Sequence, residues 1–547
     1  MVSLRRAIRN RVLDRGRKRE QRGLAGDGHG IVDLPGASLE ESLSRDLETN
    51  LRRLRSVFDR CSDVVFREFV FAQNKQIRLA LVYTDGLADK GQVSDQIMRA
   101  LALEVAMVAP GHKITRARAL EFIRERGLCM HQIKETDNLR DVVLGILSGD
   151  TALLVDGHAT AIINGARGWE ARKITDPEAE PTVRGSRESF VETLRVNTSL
   201  IRRRIKSPGL KVETLRLGEV TATDVAIVYI KGIVNEKIVA EVKNRLERIQ
   251  VDAILESGYV EELIEDNPWT FFPTVNITEK PDRAAAMLLE GRVAILVDGT
   301  PFVITVPSLL IEYLHNSEDY YERFLFVSAV RVVRFFSLSV SLTLPALYIA
   351  VVSFHHELLP TTLLLSVAAQ REAVPYPVLV EVFIMEVLFE VLREAGIRLP
   401  RPLGQAISIV GALVIGEAAV RASLVAAATV IVVALTGIGS FVLSYRVSIA
   451  FRLLRFILMV LSATLGLFGL ISGMAVIVIH LCTLRSFGVP YLSPMIPTTV
   501  VDLKDVVFRA PWWAMFTRPR LIARQQQKRQ EAGLKPTPPE TRPKVEG

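Results

Sequence analysis

The sequence has few cysteines and lacks the common catalytic motifs. Cys61, Cys129 and Cys482 are far apart and form no CxxC pair, so neither a disulfide framework nor a zinc site is indicated. We expect buried thiols in a reducing compartment. HExxH, GxSxG and Walker motifs are absent, and so is a serine–histidine–aspartate arrangement. The residues therefore give no basis for an enzyme, and no cofactor is expected.

Charge is scarce in one part of the chain, although charged residues make up 23% of the 547 residues. Hydrophobic residues make up 49% and are concentrated between Phe335 and Cys482. A soluble protein of ordinary composition does not show this concentration. A membrane domain is therefore the first expectation.

The formal net charge of +8 comes mostly from a basic N-terminal arm. Residues 1–23 contain nine Arg or Lys against Asp14 and Glu20, a sum of +7. A local polybasic segment favours an anionic membrane surface over nucleic acid, and a merely solvated arm is the alternative. No apolar stretch follows these charges, so the arm is not a signal peptide. We predict a basic arm and linker over 1–38.

The region before the apolar part has the pattern of an α/β protein. Ile77 to Tyr83 and Thr151 to Val155 are continuous apolar runs, which is typical of buried strands, and helical periodicity surrounds them. Asp156-Gly157 follows the second run and predicts a hairpin with a type I′ turn.

Two segments of this region recur later in the chain. LSGDTALLVDG (147–157) matches LEGRVAILVDG (289–299), an offset of 142. LALVYTDG (79–86) matches VAIVYIKG (225–232), an offset of 146. Two matches in the same order at nearly the same offset indicate a duplicated unit, although convergent strand-and-turn composition is the alternative.

The duplication predicts a cytosolic head of two similar α/β subdomains. We place the first, with a connecting helix, at 39–206 and the second at 207–320. Residues 79–166 and 225–308 are expected to superpose with the same strand order.

An all-α, polytopic membrane domain is predicted for 321–500, and a basic, disordered cytosolic tail for 501–547. The predicted apolar segments are Phe335–Phe354, Tyr376–Leu392, Leu403–Val420, Leu424–Tyr445 and Leu453–Cys482.

The flanking charges predict that both termini are cytosolic. Arg323, Arg331 and Arg334 precede the first segment, and nine basic residues lie between Arg509 and Lys544. Two termini on the same side of the membrane require an even number of crossings, whereas five apolar segments are present. One segment must be re-entrant, interfacial or a kinked pair, and the candidates are 376–392 and the glycine-broken segment 453–482.

Acidic residues inside an apolar segment are the main candidate site. Glu381, Glu386 and Glu390 lie within one segment, where each carboxylate would cost roughly 2.5–3.5 kcal/mol at mid-bilayer. Glu386, Glu390 and Glu394 are four apart and share a helix face. In a symmetric oligomer such a face would form acidic rings along a cation path.

The alternative is that these glutamates are bundle-interior ion-pair partners. Arg393, Arg421 or a neighbouring helix would then neutralise them, or their helix would lie at the interface. Glu417 and Arg421 are four apart and predict an intrahelical ion pair, which leaves a pore role as the less favoured reading for them.

His355-His356-Glu357 follows the first apolar segment. Adjacent histidines in an extended loop point apart, so an interfacial or pH-sensing loop is favoured and no metal site is predicted.

The stretch VRGSRESFVETLRVNTSLIRRRIKSPGLKVE (183–213) resembles the hallmark of spore germination receptor A subunits, the GerA-type family. Ser186 and Ser189 stand where proline and glycine are usual. Further similar text includes EKPDRAAAMLLEGRVAILVDGTPF, SEDYYER, SFHHELLPT and LRSFGVPYLSPMIP, so that the resemblance covers about 40–515. The family-motif positions are Arg184, Gly185, Arg202, Arg203, Arg204, Pro281, Asp282, Arg283, Asp298, Gly299, His355, Glu357 and Pro360.

The resemblance implies a multi-pass subunit of a nutrient receptor in the spore inner membrane. It implies a transporter-like B subunit and a lipoprotein C subunit as partners, and homo-oligomerisation into a nutrient-gated ion channel. A paralogous accessory germination protein would share the motifs. A secondary transporter would show repeats in its membrane half, where none is evident.

Overall fold

The computed structural model describes residues 41–71, 74–89, 91–104, 119–123, 133–166, 168, 177, 180, 182–398, 411, 416–442, 444–523, 525–531 and 533–536. The predicted basic arm and linker (1–38) and Cys129 lie outside these residues.

The first unit is a five-stranded antiparallel sheet between two layers of helices. Its strand order is β1-β2-β4-β5-β3, and apolar side chains of both sheet faces are buried against the helices. Its elements are α1 (Leu47–Val57), β1 (Val64–Phe71), β2 (Asn74–Thr84), the π-helical α2 (Gln92–Glu104), α3 (Ala119–Phe122), β3 (Ile133–Thr136), α4 (Leu139–Leu147), β4 (Thr151–Val155) and β5 (Ala161–Asn164).

The second unit repeats the first in element order and in sheet topology. Its strand order is β6-β7-β9-β10-β8, again antiparallel. Its elements are α5 (Leu194–Arg204), β6 (Leu210–Leu217), β7 (Thr223–Ile230), α6 (Glu236–Glu247), α7 (Ser257–Ile264), β8 (Asn276–Thr278), α8 (Pro281–Leu289), β9 (Val293–Val297) and β10 (Val303–Val306).

The strand registers of the two units also correspond. Leu79 pairs with Val155 in the first sheet, and Val225 pairs with Val297 at the equivalent place in the second. These are the positions that the sequence repeats relate. The prediction of two like-folded α/β units is confirmed by the shared order and register.

Two local predictions differ from the structure. Asp156-Gly157 begins a longer connection between β4 and β5, and Gly157 takes a positive φ of 91° while Asp156 does not, so no type I′ turn forms. The connecting helix α5, assigned to the first subdomain, packs on the second sheet, where Leu200 and Ile201 are buried with Leu296. It corresponds to α1 of the first unit.

The C-terminal part is helical. Two of its helices, α9 and α13, are long and apolar enough to cross a membrane among the described residues, and the number of crossings stays a prediction. The predicted segment 403–420 lies mostly outside the described residues. The helices are α9 (Phe324–Phe354), α10 (Thr361–Arg371), α11 (Val378–Arg398), α12 (Ala427–Phe441) and α13 (Tyr445–Thr483).

Helix α13 is folded back on itself at Gly466. Gly466 has φ 62° and ψ −140°, which are not helical angles. A Cβ atom built on Gly473 would lie 2.6 Å from Leu458 Cδ2, so the two halves run antiparallel in close contact. The segment at 453–482 is therefore a kinked pair, one of the alternatives that its glycines allow.

Part of the predicted disordered tail is packed against the second unit. Ile522 and Ala523 are buried, and the Arg518 guanidinium donates to the Leu289 carbonyl over 2.8 Å. The low apolar content of the tail predicts disorder, but a few anchoring side chains suffice to order 501–523. Residues 537–547 lie outside the described residues.

Candidate functional site

Helix α11 carries a buried carboxylate into the helical bundle. Glu386 and Arg455 of α13 both have fully buried side chains, and Glu386 Oε2 lies 3.1 Å from Arg455 Nη2. A charge in an apolar environment is expensive unless an opposite charge accompanies it. Arg455 supplies that charge from the facing helix.

Glu390, one helical turn further, gathers three guanidinium groups. Its carboxylate lies 2.7 Å from Arg452 Nη1, 3.2 Å from Arg455 Nη2 and 3.3 Å from Arg393 Nη1. Arg393 also donates to Ser440 Oγ over 2.7 Å. We call Glu386, Glu390, Arg393, Arg452 and Arg455 the charge cluster.

The charge cluster contains two carboxylates and three guanidinium groups, a formal sum of +1. The acidic face predicted from the glutamate spacing is thus neutralised by arginines within this chain. Several buried atoms of the cluster have no hydrogen-bond partner among the described residues, including Glu386 Oε1 and Arg455 Nη1. Burying a polar atom without a hydrogen-bond partner costs free energy, so the charge cluster lowers the stability of the bundle unless other groups satisfy these atoms.

The other predicted acidic residues lie apart from this cluster. Glu381 is fully buried at the opposite end of the bundle, where it accepts from the Ala426 amide over 2.5 Å and lies 3.7 Å from Arg371 Nε. Glu417 and Arg421 form the predicted intrahelical ion pair on an exposed surface. The pore assignment of these residues stays a prediction.

The loop that contains His355, His356 and Glu357 lies at the end of the bundle furthest from the head. His355 ends α9, and Gly466 approaches so closely that an added Cβ would lie 2.7 Å from His355 Cε1. His356 and Glu357 are exposed, and Pro360 precedes α10. No group of three or more metal-binding side chains occurs among the residues that the structure describes.

A second polar cluster joins the head to the first helix of the bundle. Arg331 of α9 is fully buried and lies 3.0 Å from Asp319 and 2.8 Å from Asp505 of the C-terminal segment. Arg334 lies 2.7 Å from Asp319. Burial alone would raise the pKa of Asp319, but the hydrogen bonds and charges of Arg334 and Arg331 outweigh burial and lower it.

His315 completes this junction as a neutral group. Burial, together with the charge of Arg331, lowers the pKa of His315 to about 4. Its Nε2 lies 3.0 Å from the Val506 carbonyl oxygen, which can only accept, so the Nε2–H group donates this hydrogen bond. The start of α9, the second unit and the C-terminal segment are therefore held by one hydrogen-bonded network.

Residues 52–521 match the model of the Bacillus/Clostridium GerA spore germination protein family. The chain belongs to this family.

The chain is similar to curated proteins and to a solved structure. The chain is 44% identical to spore germination protein KA of Bacillus subtilis (strain 168), over 91% of both chains. It is 42% identical to membrane protein YfkQ of the same organism, over 89% of this chain and 93% of that one. The solved structure is the crystal structure of the N-terminal domain of the A subunit of the Bacillus megaterium spore germinant receptor GerK3. The two sequences are 36% identical, and the match covers 50% of this chain and 99% of that chain, with a TM-score of 0.40.

One residue of the GerA-family arginine motif, Arg202, joins the two units of the head. Arg202 is fully buried and makes two hydrogen bonds, of 2.6 and 2.8 Å, to the carboxylate of Asp63 in the first unit. Arg203 and Arg204 lie 3.2 and 2.6 Å from Glu188. All of these contacts lie within the head.

The motif residues at 184, 185, 281–283, 298 and 299 make contacts in the second unit and at its junction with α9. Pro281 begins α8, the Tyr321 hydroxyl donates to Asp282 over 2.6 Å, and Arg283 pairs with Glu180. Asp298 accepts from the Leu194 amide over 2.8 Å, which caps α5. The other three positions lie close by: Arg184 pairs with Glu322, Gly185 contacts the Tyr321 ring and the Gly299 amide donates to the Glu192 carbonyl.

Two arginines of the charge cluster, Arg452 and Arg455, are not predicted from the sequence, whereas Arg393 is a predicted partner of the glutamates in this GerA-family chain. Arg455 lies inside the predicted apolar segment 453–482, and Arg452 directly precedes it. A charge in such a segment is as costly for arginine as for glutamate. The same argument that selects Glu386 and Glu390 therefore selects Arg455 as a candidate residue, but it does not identify its partner.

Proposed function

We propose that this chain is the membrane-embedded A subunit of a spore germinant receptor and that its copies assemble into a nutrient-gated ion channel. The proposed location is the spore inner membrane, with both termini cytosolic. The proposed partners are a transporter-like B subunit and a lipoprotein C subunit, as in the receptors that the family resemblance implies. The single observation that carries the channel proposal is the charge cluster within an apolar bundle.

The helix directions support an even number of crossings. Arg446, at the start of α13, donates to the Val275 carbonyl of the head, whereas Gly466 lies against His355 at the far end, and His480 returns to within 2.9 Å of Thr270 of the head. Each half of α13 therefore runs the full depth of the bundle, about 25–30 Å. With α9, α11, the segment 403–420 and α12, we propose six crossings.

We propose that the ion pairs of the charge cluster represent a closed path. Arg455 and Arg452 neutralise the carboxylates that would otherwise attract a cation. The hydrogen-bonded network around Arg331 connects the head to α9, which packs against α13. A change in the head would reach the cluster through these two helices and separate the carboxylates from the guanidinium groups.

Spores that carry Glu386→Gln together with Glu390→Gln test this function. We expect slower nutrient-triggered release of monovalent cations, measured in the medium and normalised to the amount of the protein in the inner-membrane fraction. Glu417→Gln with Arg421→Gln neutralises an exposed ion pair of the same bundle and is the matched control, expected to release cations normally. Wild-type release from an assembled Glu386 and Glu390 double variant would contradict the proposal.

A further inference from the structure

A loop of the second unit exposes two large aromatic side chains. The loop joins α7 to β8 and contains Asn267-Pro268-Trp269 and Phe272-Pro273, whose prolines prevent regular structure. Trp269 is 92% exposed and Phe271 is 50% exposed. Aromatic side chains of this size contribute most when their surface leaves water. Because the rest of the head is well packed, their exposure indicates a surface that lipid or another molecule covers.

The loop is fixed against the head-side ends of α13. Phe272, which directly follows the exposed Phe271, is buried. Its ring centroid lies 5.6 Å from that of Phe451 and 6.2 Å from that of His480. Thr270 Oγ1 lies 2.9 Å from His480 Nε2. The position of Trp269 relative to the bundle is therefore set by packing.

The loop lies at the depth where the apolar surface of the bundle ends. From the turn at Gly466 to Phe451 and to His480, each half of α13 rises about 21–23 Å, and the half that begins at Tyr445 extends to about 30 Å. Val476 is 65% exposed and Ile479 is 63% exposed, so apolar surface continues up to the level of the loop. Beyond His480 the chain enters the head.

The neighbouring exposed side chains have the composition of a membrane interface. Tyr445 is 61% exposed at the start of α13, and Arg485 is exposed just after its end. Aromatic residues with an adjacent cation are enriched at the boundary between headgroups and acyl chains. We propose that Trp269 and Phe271 insert into the interface of the membrane leaflet that faces the head, and so anchor the second unit to the lipid surface.

This inference rests on the membrane placement in the proposed function and adds a lipid contact made by the head. The anchor holds the α7–β8 loop at a fixed depth beside Arg446 and His480, at the ends of both halves of α13. If the second unit moved, the loop would stay at the lipid surface, and the movement would shift the ends of α13 relative to the membrane.

Quenching of tryptophan fluorescence by lipid tests the anchor in the full chain. The protein is reconstituted into vesicles of phosphatidylglycerol and phosphatidylethanolamine, with and without bromine on the acyl chains near the headgroup. The signal of Trp269 is the difference between the wild type and Trp269→Phe. A matched probe is Val220→Trp in the Trp269→Phe background, because Val220 is 81% exposed in the turn between β6 and β7, at the end of the sheet away from the bundle.

We expect brominated lipid to reduce the Trp269 signal strongly and aqueous iodide to reduce it little, with the reverse order at position 220. Equal behaviour of the two probes, quenched by iodide alone, would show the loop in water and overturn the anchor. Protection of Trp269 from both quenchers would show that protein covers it, for example a second copy, and would also overturn the anchor. Flotation with the vesicles is scored separately, so failure to enter a bilayer contradicts the proposed function as well, whereas flotation without lipid quenching contradicts the anchor alone.

Discussion

At the scale of single residues, Arg202 and Asp63 form a buried ion pair between the two units of the head. We predict that Arg202→Ala lowers the free energy of unfolding by about 3–5 kcal/mol, because Asp63 is left buried and unpaired. The exposed pair of Arg216 and Asp224, 3.0 Å apart, provides the control, and Arg216→Ala is expected to cost at most about 1 kcal/mol. Urea unfolding of the solubilised chain measures both. Similar losses for the two variants would contradict the assigned role of Arg202.

The raised pKa of Glu265 makes the stability of the folded chain depend on pH. Burial, reinforced by the charge of Glu261, raises the pKa of Glu265 from 4.5 to about 7. The folded state then binds the proton more tightly than the unfolded state, so the stabilisation is present below about pH 4.5 and is lost as the pH rises toward 7. Glu265→Gln should remove this loss and unfold at a higher temperature than the wild type at pH 8, with little difference at pH 5. Glu247→Gln, a surface change, is the control, and a Glu265→Gln profile parallel to the wild type would refute the assignment.

At the scale of elements, the hairpin of α13 depends on Gly466. Its φ of 62° disfavours other residues, and a Cβ atom there would lie 2.7 Å from His355 Cε1 and 3.1 Å from Phe354 Cβ. We predict that Gly466→Leu disturbs the turn and exposes Cys482 to membrane-impermeant thiol reagents from the far side of the membrane. Gly396→Ala, where an added Cβ meets nothing within 4 Å, should leave the labelling of Cys482 unchanged. Wild-type labelling in a stable Gly466→Leu variant would argue against the hairpin as a required turn.

The elements also show what the sequence predicts and what it does not. The repeated apolar runs around Asp156 and Asp298 predict the duplicated sheets, because strand patterns are local. The glycines at 466, 469 and 473 indicate a break in α13 for the same reason. The partners of Glu390 are 62 and 65 positions away on a helix whose placement depends on the whole bundle, so no local pattern identifies Arg452 or Arg455 as partners. The packed tail is missed because few of its residues, such as Ile522, provide the anchoring.

At the scale of the whole molecule, the proposed six crossings place both termini on the cytosolic side. Epitope tags at residue 1 and at residue 547 should both be inaccessible to protease or antibody in intact cells and accessible after permeabilisation. A tag in the loop at His356 should show the opposite behaviour, since this loop lies at the far end of the bundle. Accessibility of one terminus alone from outside would require an odd number of crossings.

In the proposed channel, Glu386 and Glu390 lie on the ion path of the assembled oligomer. The most direct measurement is the reversal potential of the purified oligomer in a planar bilayer under a potassium chloride gradient. We predict a cation-selective current for the wild type. Glu386→Gln with Glu390→Gln should move the reversal potential toward the chloride equilibrium value, because three arginines remain where two carboxylates are lost. An unchanged reversal potential in a double variant that still conducts would contradict the account.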